Sequence, residues 1–278
     1  MTDPEQPSTK ASRILAALGD PRRPPLPRIA VVVAHPDDET IGFGAQLARC
    51  ADITVIHTTD GAPRRGFPSS FGSWQAYRDA RREELVAAMH LAGVPKERLR
   101  SLGWADQQSS LHLAEISRRL ADLISGCDAV ITHAYEGGHP DHDSAAFAVH
   151  AATDLLGRDG ASAPAVIEVP LYRAGADGDW APQSFTPLDA AAVTVAELAP
   201  AEQALKQRMF AAYRSQSEVL SIFGTEREWF RVAPAYDFTA LPNGGAVLYE
   251  GFGWNMTGAG WLDLAGAATR DLALDRAA

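Results

Sequence analysis

The sequence predicts an α/β fold built on a doubly wound, mostly parallel sheet, and three observations carry that reading. Short runs such as Ile29-Ala30-Val31-Val32-Val33-Ala34 are apolar at every position, as strands buried on both faces are. They alternate with longer helical segments, which is the arithmetic of repeated βαβ units with right-handed crossovers. Polar clusters stand directly after two of the runs, at the C-terminal strand ends where open α/β sheets bind ligands. The pattern is Rossmann-like.

Residues 1–28 hold six of the 18 prolines and are expected to form a Pro-rich surface arm, with a short helix over 11–18 ended by Gly19. The first strand follows at 29–34 and a helix at 41–50. A second strand at 53–58 leads through a long loop, 60–73, into a helix over 74–92 stopped by Gly93. The third strand is placed at 99–102, a helix at 114–124, the fourth strand at 129–132, a helix at 144–156 and the fifth strand at 165–169. Beyond Pro170 the alternation lapses. A strand is expected over 191–196 and a long helix over 200–222, followed by aromatic-rich irregular segments around Trp229-Phe230, Tyr236-Asp237-Phe238 and Trp254. Residues 29–278 are read as one domain, with a core over 29–222 and a C-terminal cap or edge region, 223–278, that sets specificity.

The 25 basic and 35 acidic residues leave a net charge of −10, which argues against nucleic acid or an anionic membrane as partner. The two cysteines, Cys50 and Cys127, lack a CxxC spacing and read as free thiols in a reducing compartment. The N-terminus has no apolar h-region, and no run approaches the length of a membrane span. A cytoplasmic protein is the expectation.

His35-Pro36-Asp37-Asp38-Glu39 follows the first strand, and Tyr135-Glu136-Gly137-Gly138-His139-Pro140-Asp141-His142-Asp143 follows the fourth. In the strand order 3-2-1-4-5 both clusters face one crevice at the switch point. An imidazole among several carboxylates is costly to desolvate without a compensating cation. His35 and Asp38 stand at i and i+3, as do His139 and His142, so a tight turn or a first helical turn brings each pair together. Two imidazoles and a carboxylate from the two loops suit one divalent ion. Nitrogen and oxygen donors without thiolate fit Zn²⁺, and equally Fe²⁺ or Mn²⁺, with an open position for water.

These residues resemble the LmbE-like, or PIG-L-type, metal-dependent N-deacetylases. Ala34 to Glu39 matches the first signature and Gly138 to His142 the second. Thr59-Asp60-Gly61, Arg81-x-x-Glu84, Leu102-Gly103-x-x-Asp106 and Ser215-Gln216 agree in order and spacing. The resemblance implies that His35, Asp38 and His142 hold zinc, and that Asp37 is the general base acting on metal-activated water. It implies that His139 stabilises the oxyanion and can also protonate the leaving amine, and that Arg81 and Asp106 contact substrate hydroxyls. The substrate implied is an N-acetylated amino sugar or its conjugate, and a homo-oligomer is plausible by the same likeness. The chemistry agrees: an amide needs an activated nucleophile and a stabilised tetrahedral oxyanion, so one aspartate ligates while its neighbour stays free as base. Some relatives carry a tyrosine where Gly137 stands; Tyr135 is nearby, and a glycine pair offers close backbone approach.

Glu39, Asp60 and Asp141 are assigned supporting roles around the ligands. Asp143 is expected to cap the following helix, His57 and His133 to be core or supporting histidines, and His90, His112 and His150 to face solvent. Arg64 and Arg65 read as a solvated loop or a cationic lid. Trp104, Trp229, Tyr236 and Trp254 read as core packing or as platforms for sugar rings. Two other functions fit parts of the pattern: a non-haem Fe(II) enzyme with two histidines and one carboxylate, and a non-catalytic sugar-binding protein on the same scaffold.

Overall fold

The computed structural model describes residues 7–188 and 192–275. Residues 1–6 of the expected arm and Ala191, the first of the expected 191–196 strand, lie outside the described residues. In chain order the elements are α1 (Pro7–Gly19), β1 (Ile29–Val33), α2 (Asp38–Phe43), β2 (Ile53–Pro63), α3 (Trp74–Leu91), β3 (Leu99–Asp106), α4 (Leu113–Ile124) and β4 (Ala129–His133). There follow α5 (Pro140–Arg158), β5 (Ala165–Val169), β6 (Tyr172–Ala174), β7 (Trp180–Pro182), β8 (Thr194–Glu197), α6 (Pro200–Ala212), α7 (Ser217–Leu220), β9 (Arg227–Val232) and α8 (Gly258–Asp271).

A seven-stranded sheet runs in the order β3-β2-β1-β4-β5-β9-β8. It is parallel from β3 to β5 and antiparallel at β9 and β8. The α/β class and the order 3-2-1-4-5 are therefore as expected. β1 is central, with Val31 paired to Val55 on one side and to Ile131 on the other. Alternate residues feed two layers: Val31 and Val33 join Leu85, Met89 and Met209, whereas Ala30 and Val32 join Ile116, Leu120 and Val149.

The elements depart from the sequence reading in identifiable ways. The expected surface arm is instead a packed element, because Ala11, Ile14 and Leu18 lie on one face of α1 and are buried in the core. The 41–50 helix divides into α2 and a single 3₁₀ turn, Leu47–Arg49. β2 continues to Pro63, so the loop after it is shorter than expected. α5 begins at Pro140, where proline suits the first helical position, so the second polar cluster becomes a helix start. The 200–222 helix ends at Ala212 and resumes after a 3₁₀ turn. Trp229-Phe230 belongs to a strand, and α8 packs against α4 and α5 where irregular chain was expected. Among the described residues, no helix is long and apolar enough to cross a membrane.

Candidate active site

The C-terminal ends of β1 and β4 converge as the switch point requires. His35 follows β1, Asp38 opens α2, and His139 and His142 lie at the start of α5. His35 Nδ1 is 3.3 Å from Asp38 Oδ2 and 3.3 Å from His142 Nε2, and His142 Nε2 is 3.4 Å from Asp38 Oδ1. Donors about 2.05 Å from a tetrahedral zinc stand about 3.3 Å apart. Each pair here approaches to that length, His35 and His142 through different Asp38 oxygens. Among the described residues the compact groups of candidate donors are His35, His139 and His142, the set of His35, Asp106, His139 and Asp141, and the set of Asp38, His133 and His142. His35, Asp38 and His142 are buried, as are His139 and the neighbouring Asp141.

Two carboxylates and a further histidine surround these side chains. Asp106 Oδ1 is 3.1 Å and Asp141 Oδ2 3.3 Å from His35 Nε2, the carboxylate-to-histidine arrangement that fixes a ligand ring. Backbone N–H groups of Gln107 and Ser109 donate to Asp141 and hold it. Burial alone would push the His35 imidazole down, but the Asp106, Asp141 and Asp38 carboxylates outweigh it and raise it well above the usual range. This concentration of negative charge around His35 is what a cation would balance. His133 stacks on His142, with ring centroids 4.2 Å apart, and its Nε2 is 3.3 Å from Asp38 Oδ2.

Asp37 is left outside the triangle of His35, Asp38 and His142, and its backbone is strained. Its φ of 120° lies in a region non-glycine residues rarely enter, a cost of roughly 1–3 kcal/mol that the surroundings must offset. Five hydrogen bonds do so. Glu39 Oε2 accepts from Asp37 N–H, the Asp37 carbonyl accepts from Thr40 and Ile41 N–H, and Arg81 Nη2 donates to Pro36 O and to Asp37 Oδ2. Burial, reinforced by the charges of Asp38 and Glu39, raises the Asp37 carboxyl well above its usual value despite Arg81. A carboxylate so placed is a ready proton acceptor. Glu39 is itself buried and accepts from His57 Nε2, Tyr213 Oη and Thr40 Oγ1.

Asp141 N–H donates to His139 Nδ1, so the neutral ring carries its proton on Nε2, 3.5 Å from Asp106 Oδ1. Burial pushes the His139 imidazole down to about 3, with His35 nearby adding to the effect. His139 thus faces the cavity as a neutral N–H donor. His35, Asp37, Asp38, Arg81, Asp106, His139 and His142 share one cavity of about 350 Å³. Arg81 lines it, yet its Nη groups are directed at Gly61 O, Tyr77 Oη, Pro36 O and Asp37. A Cβ at Gly61, where φ is 65°, would stand 2.8 Å from both Arg81 Nη2 and Pro36 Cδ, which explains glycine there.

Several expectations are corrected. Asp60 lies in a different cavity, beside Arg64 and Trp74, and its carboxylate accepts from Ala62 N–H. Thr59 does the supporting work, bonding Ala34 O through both its N–H and its hydroxyl, because β2 runs on and turns Asp60 away. Asp143 accepts from Glu136 and Gly137 N–H and ties back the preceding loop, while His139 caps α5. The Tyr135 hydroxyl donates to Ala240 O and its ring packs on Tyr236, Phe238 and Trp261, away from the ligands. A Cβ at Gly138 would lie 2.0 Å from Tyr172 O, so the glycine admits the chain's own backbone, not a substrate. His150 packs on Tyr236 and Phe238, and His112 stacks on Trp104, so neither simply faces solvent. Arg64 lies over the Trp74 ring, 3.5 Å from its centroid. Tyr172, Trp180, Phe223 and Phe252 line the cavity and went unrecognised; no spacing rule links them to the metal motifs, whereas Trp254 was singled out.

Residues 30–153 match the family described as PIG-L: GlcNAc-PI de-N-acetylase. A 1D-myo-inositol 2-acetamido-2-deoxy-alpha-D-glucopyranoside deacetylase of Streptomyces griseus subsp. griseus is 30% identical over 164 residues, 47% of this chain and 50% of the relative. The chain thus spans about half the length of the curated relative it matches. The solved N,N'-diacetylchitobiose deacetylase from Pyrococcus horikoshii superposes with a TM-score of 0.56 at 16% identity, covering 84% of this chain and 95% of that one. A structure described as the zinc inhibited form of teicoplanin deacetylase has a TM-score of 0.52 at 16% identity, covering 76% and 100%. At these identities the two structures speak for the fold.

Proposed function

We propose that this chain, whose residues 30–153 match the PIG-L family, hydrolyses the N-acetyl or a related acyl group of an amino sugar or its conjugate. The observation that carries the reading is the buried, strained Asp37 standing free beside the triangle of His35, Asp38 and His142. Those three residues would hold a divalent ion, and zinc fits their nitrogen and oxygen donors. Bound there, it supplies Lewis acidity toward an amide carbonyl and lowers the pKa of water.

The chain's own residues then divide the work. Asp37 takes a proton from the attacking water, and Glu39 and Arg81 keep its carboxylate aimed. His139 Nε2–H donates to the oxygen on which negative charge develops. The proton held by Asp37 passes to the leaving nitrogen, so the amide and one water become a carboxylate and an amine. Asp106 and Asp141 orient His35, and Asp106, which lines the cavity, also meets a sugar hydroxyl. Arg81 serves chiefly to fix Asp37, and its Nε is buried without a partner among the described residues.

Acetate release from N-acetylglucosaminides by metal-reconstituted protein, beside a chelated control, tests this. Zinc is titrated from equimolar to excess, since one neighbour is described as zinc inhibited. Release with equimolar metal and none after chelation is expected; release unaffected by chelation would refute the reading.

A further inference from the structure

Six rings that line the cavity close on themselves. His139 meets Trp254 at 4.6 Å between centroids, Trp254 meets Phe252 at 4.6 Å, and Phe252 meets Trp180 at 5.6 Å. Trp180 stacks on Tyr172 at 4.8 Å and 21°, Tyr172 meets His142 at 5.2 Å, and His142 returns to His139 at 5.1 Å. The collar begins and ends on the two histidines of the site. Its other four members come from β6, β7 and the 3₁₀ segment Leu248–Phe252 with the chain just after it, all outside residues 30–153 that carry the family match.

The charged groups and imidazoles of this cavity are buried. Its lining adds Ile41, Val219 and Phe223 to the collar, and the Gln216 amide there already donates to Tyr77 Oη and to Ser215. Trp180 is 43% and Val219 46% exposed, so two large apolar side chains stand at the entrance facing water. Aromatic walls above a few fixed polar groups are how pockets take apolar ligands. A polyol desolvated against such rings gives up its hydrogen bonds to water and finds few in return.

We propose that the substrate is an N-acyl amino sugar bearing an apolar aryl or alkyl substituent, and that the collar of Tyr172, Trp180, Phe252 and Trp254 selects it. This rests on the deacylase reading above for the position of the sugar. The substituent is carried either by the aglycone or by the acyl chain, and the same collar chemistry serves both.

The test compares phenyl, octyl and methyl N-acetylglucosaminides with the inositol conjugate, N,N'-diacetylchitobiose and methyl N-hexanoylglucosaminide. Affinity is read by calorimetry on the zinc-loaded Asp37→Asn variant, and turnover on the parent chain. Burying a phenyl or alkyl group should favour those compounds over the methyl glycoside by at least about tenfold in affinity. Preference for phenyl and octyl glycosides assigns the substituent to the aglycone; preference for the hexanoyl amide assigns it to the acyl chain. Trp180→Ala, at a partly exposed position, should shrink the preference by at least about fivefold. Equal affinities, tighter binding of the inositol or chitobiose compounds, or no binding of any would overturn the proposal. A binding preference without turnover would uphold the collar and count against deacylation.

Discussion

Replacing Lys206 by Met should destabilise the chain by about 3–5 kcal/mol, the cost of leaving half of a buried ion pair. Lys206 on α6 is fully buried, and its ammonium donates to Ile41 O at 2.7 Å and to Glu228 Oε1 at 2.9 Å. Glu228 on β9 also accepts from Ala45 N–H and Gln46 Nε2. The cation therefore satisfies a carbonyl near the end of α2, the helix that Asp38 opens, and joins it to the antiparallel edge of the sheet. Methionine keeps the unbranched stem, so packing changes little and the measured loss reports the charge. Pairing Lys206→Met with Glu228→Gln should restore a large part of it, because the orphaned carboxylate is gone. The assay is urea unfolding of both single variants and the double variant, read at unchanged m. A loss below about 1 kcal/mol for Lys206→Met, or additivity of the two changes, would refute the reasoning.

Other consequences are equally direct. Gly61→Ala must push Arg81 and Pro36 aside at a positive φ, and should lower unfolding stability by about 1–3 kcal/mol and activity by more than that loss of folded protein explains. Glu39→Leu should keep metal content while kcat falls by at least about tenfold, because Asp37 loses the acceptor for its N–H; an unchanged kcat would remove Glu39 from the account. Burial pushes His150 down from 6.5 to about 4, and its Nε2 has no partner among the described residues. The unfolded chain then binds the extra proton between those values, so the stability this ring contributes is present above pH 6.5 and is lost as the pH falls toward 4. His150→Phe should flatten stability against pH across that window, measured by denaturant midpoints.

What the sequence made legible was carried by continuous patterns. β1 is apolar at every position and β4 at Ala129, Val130 and Ile131, so the sheet order could be placed, and with it the convergence of the two polar clusters at the switch point. β9 escaped because Arg227-Glu228-Trp229-Phe230-Arg231-Val232 interleaves charge and aromatic residues, and only the pairing of Glu228 with Lys206 and Arg231 with Glu168 makes its burial tolerable. Hydropathy cannot see a partner far away in the chain. α8 escaped because Gly258, Gly260 and Gly266 weaken its helical propensity, and Trp261, Ala265 and Ala268 hold it by packing. The backbone strain at Asp37 and the engagement of Arg81 with Gly61 and Pro36 are products of tertiary contact. The aromatic collar joins short elements separated by some seventy residues, and no local spacing announces it.

The claim that everything else serves is that Asp37 accepts a proton while His35, Asp38 and His142 hold the metal. Asp37→Asn tests it most directly, with metal content and acetate release measured on the same preparation. The account predicts bound metal at the parent stoichiometry and a kcat/KM lower by about 10²–10⁴-fold. Activity near the parent level with metal retained would contradict it.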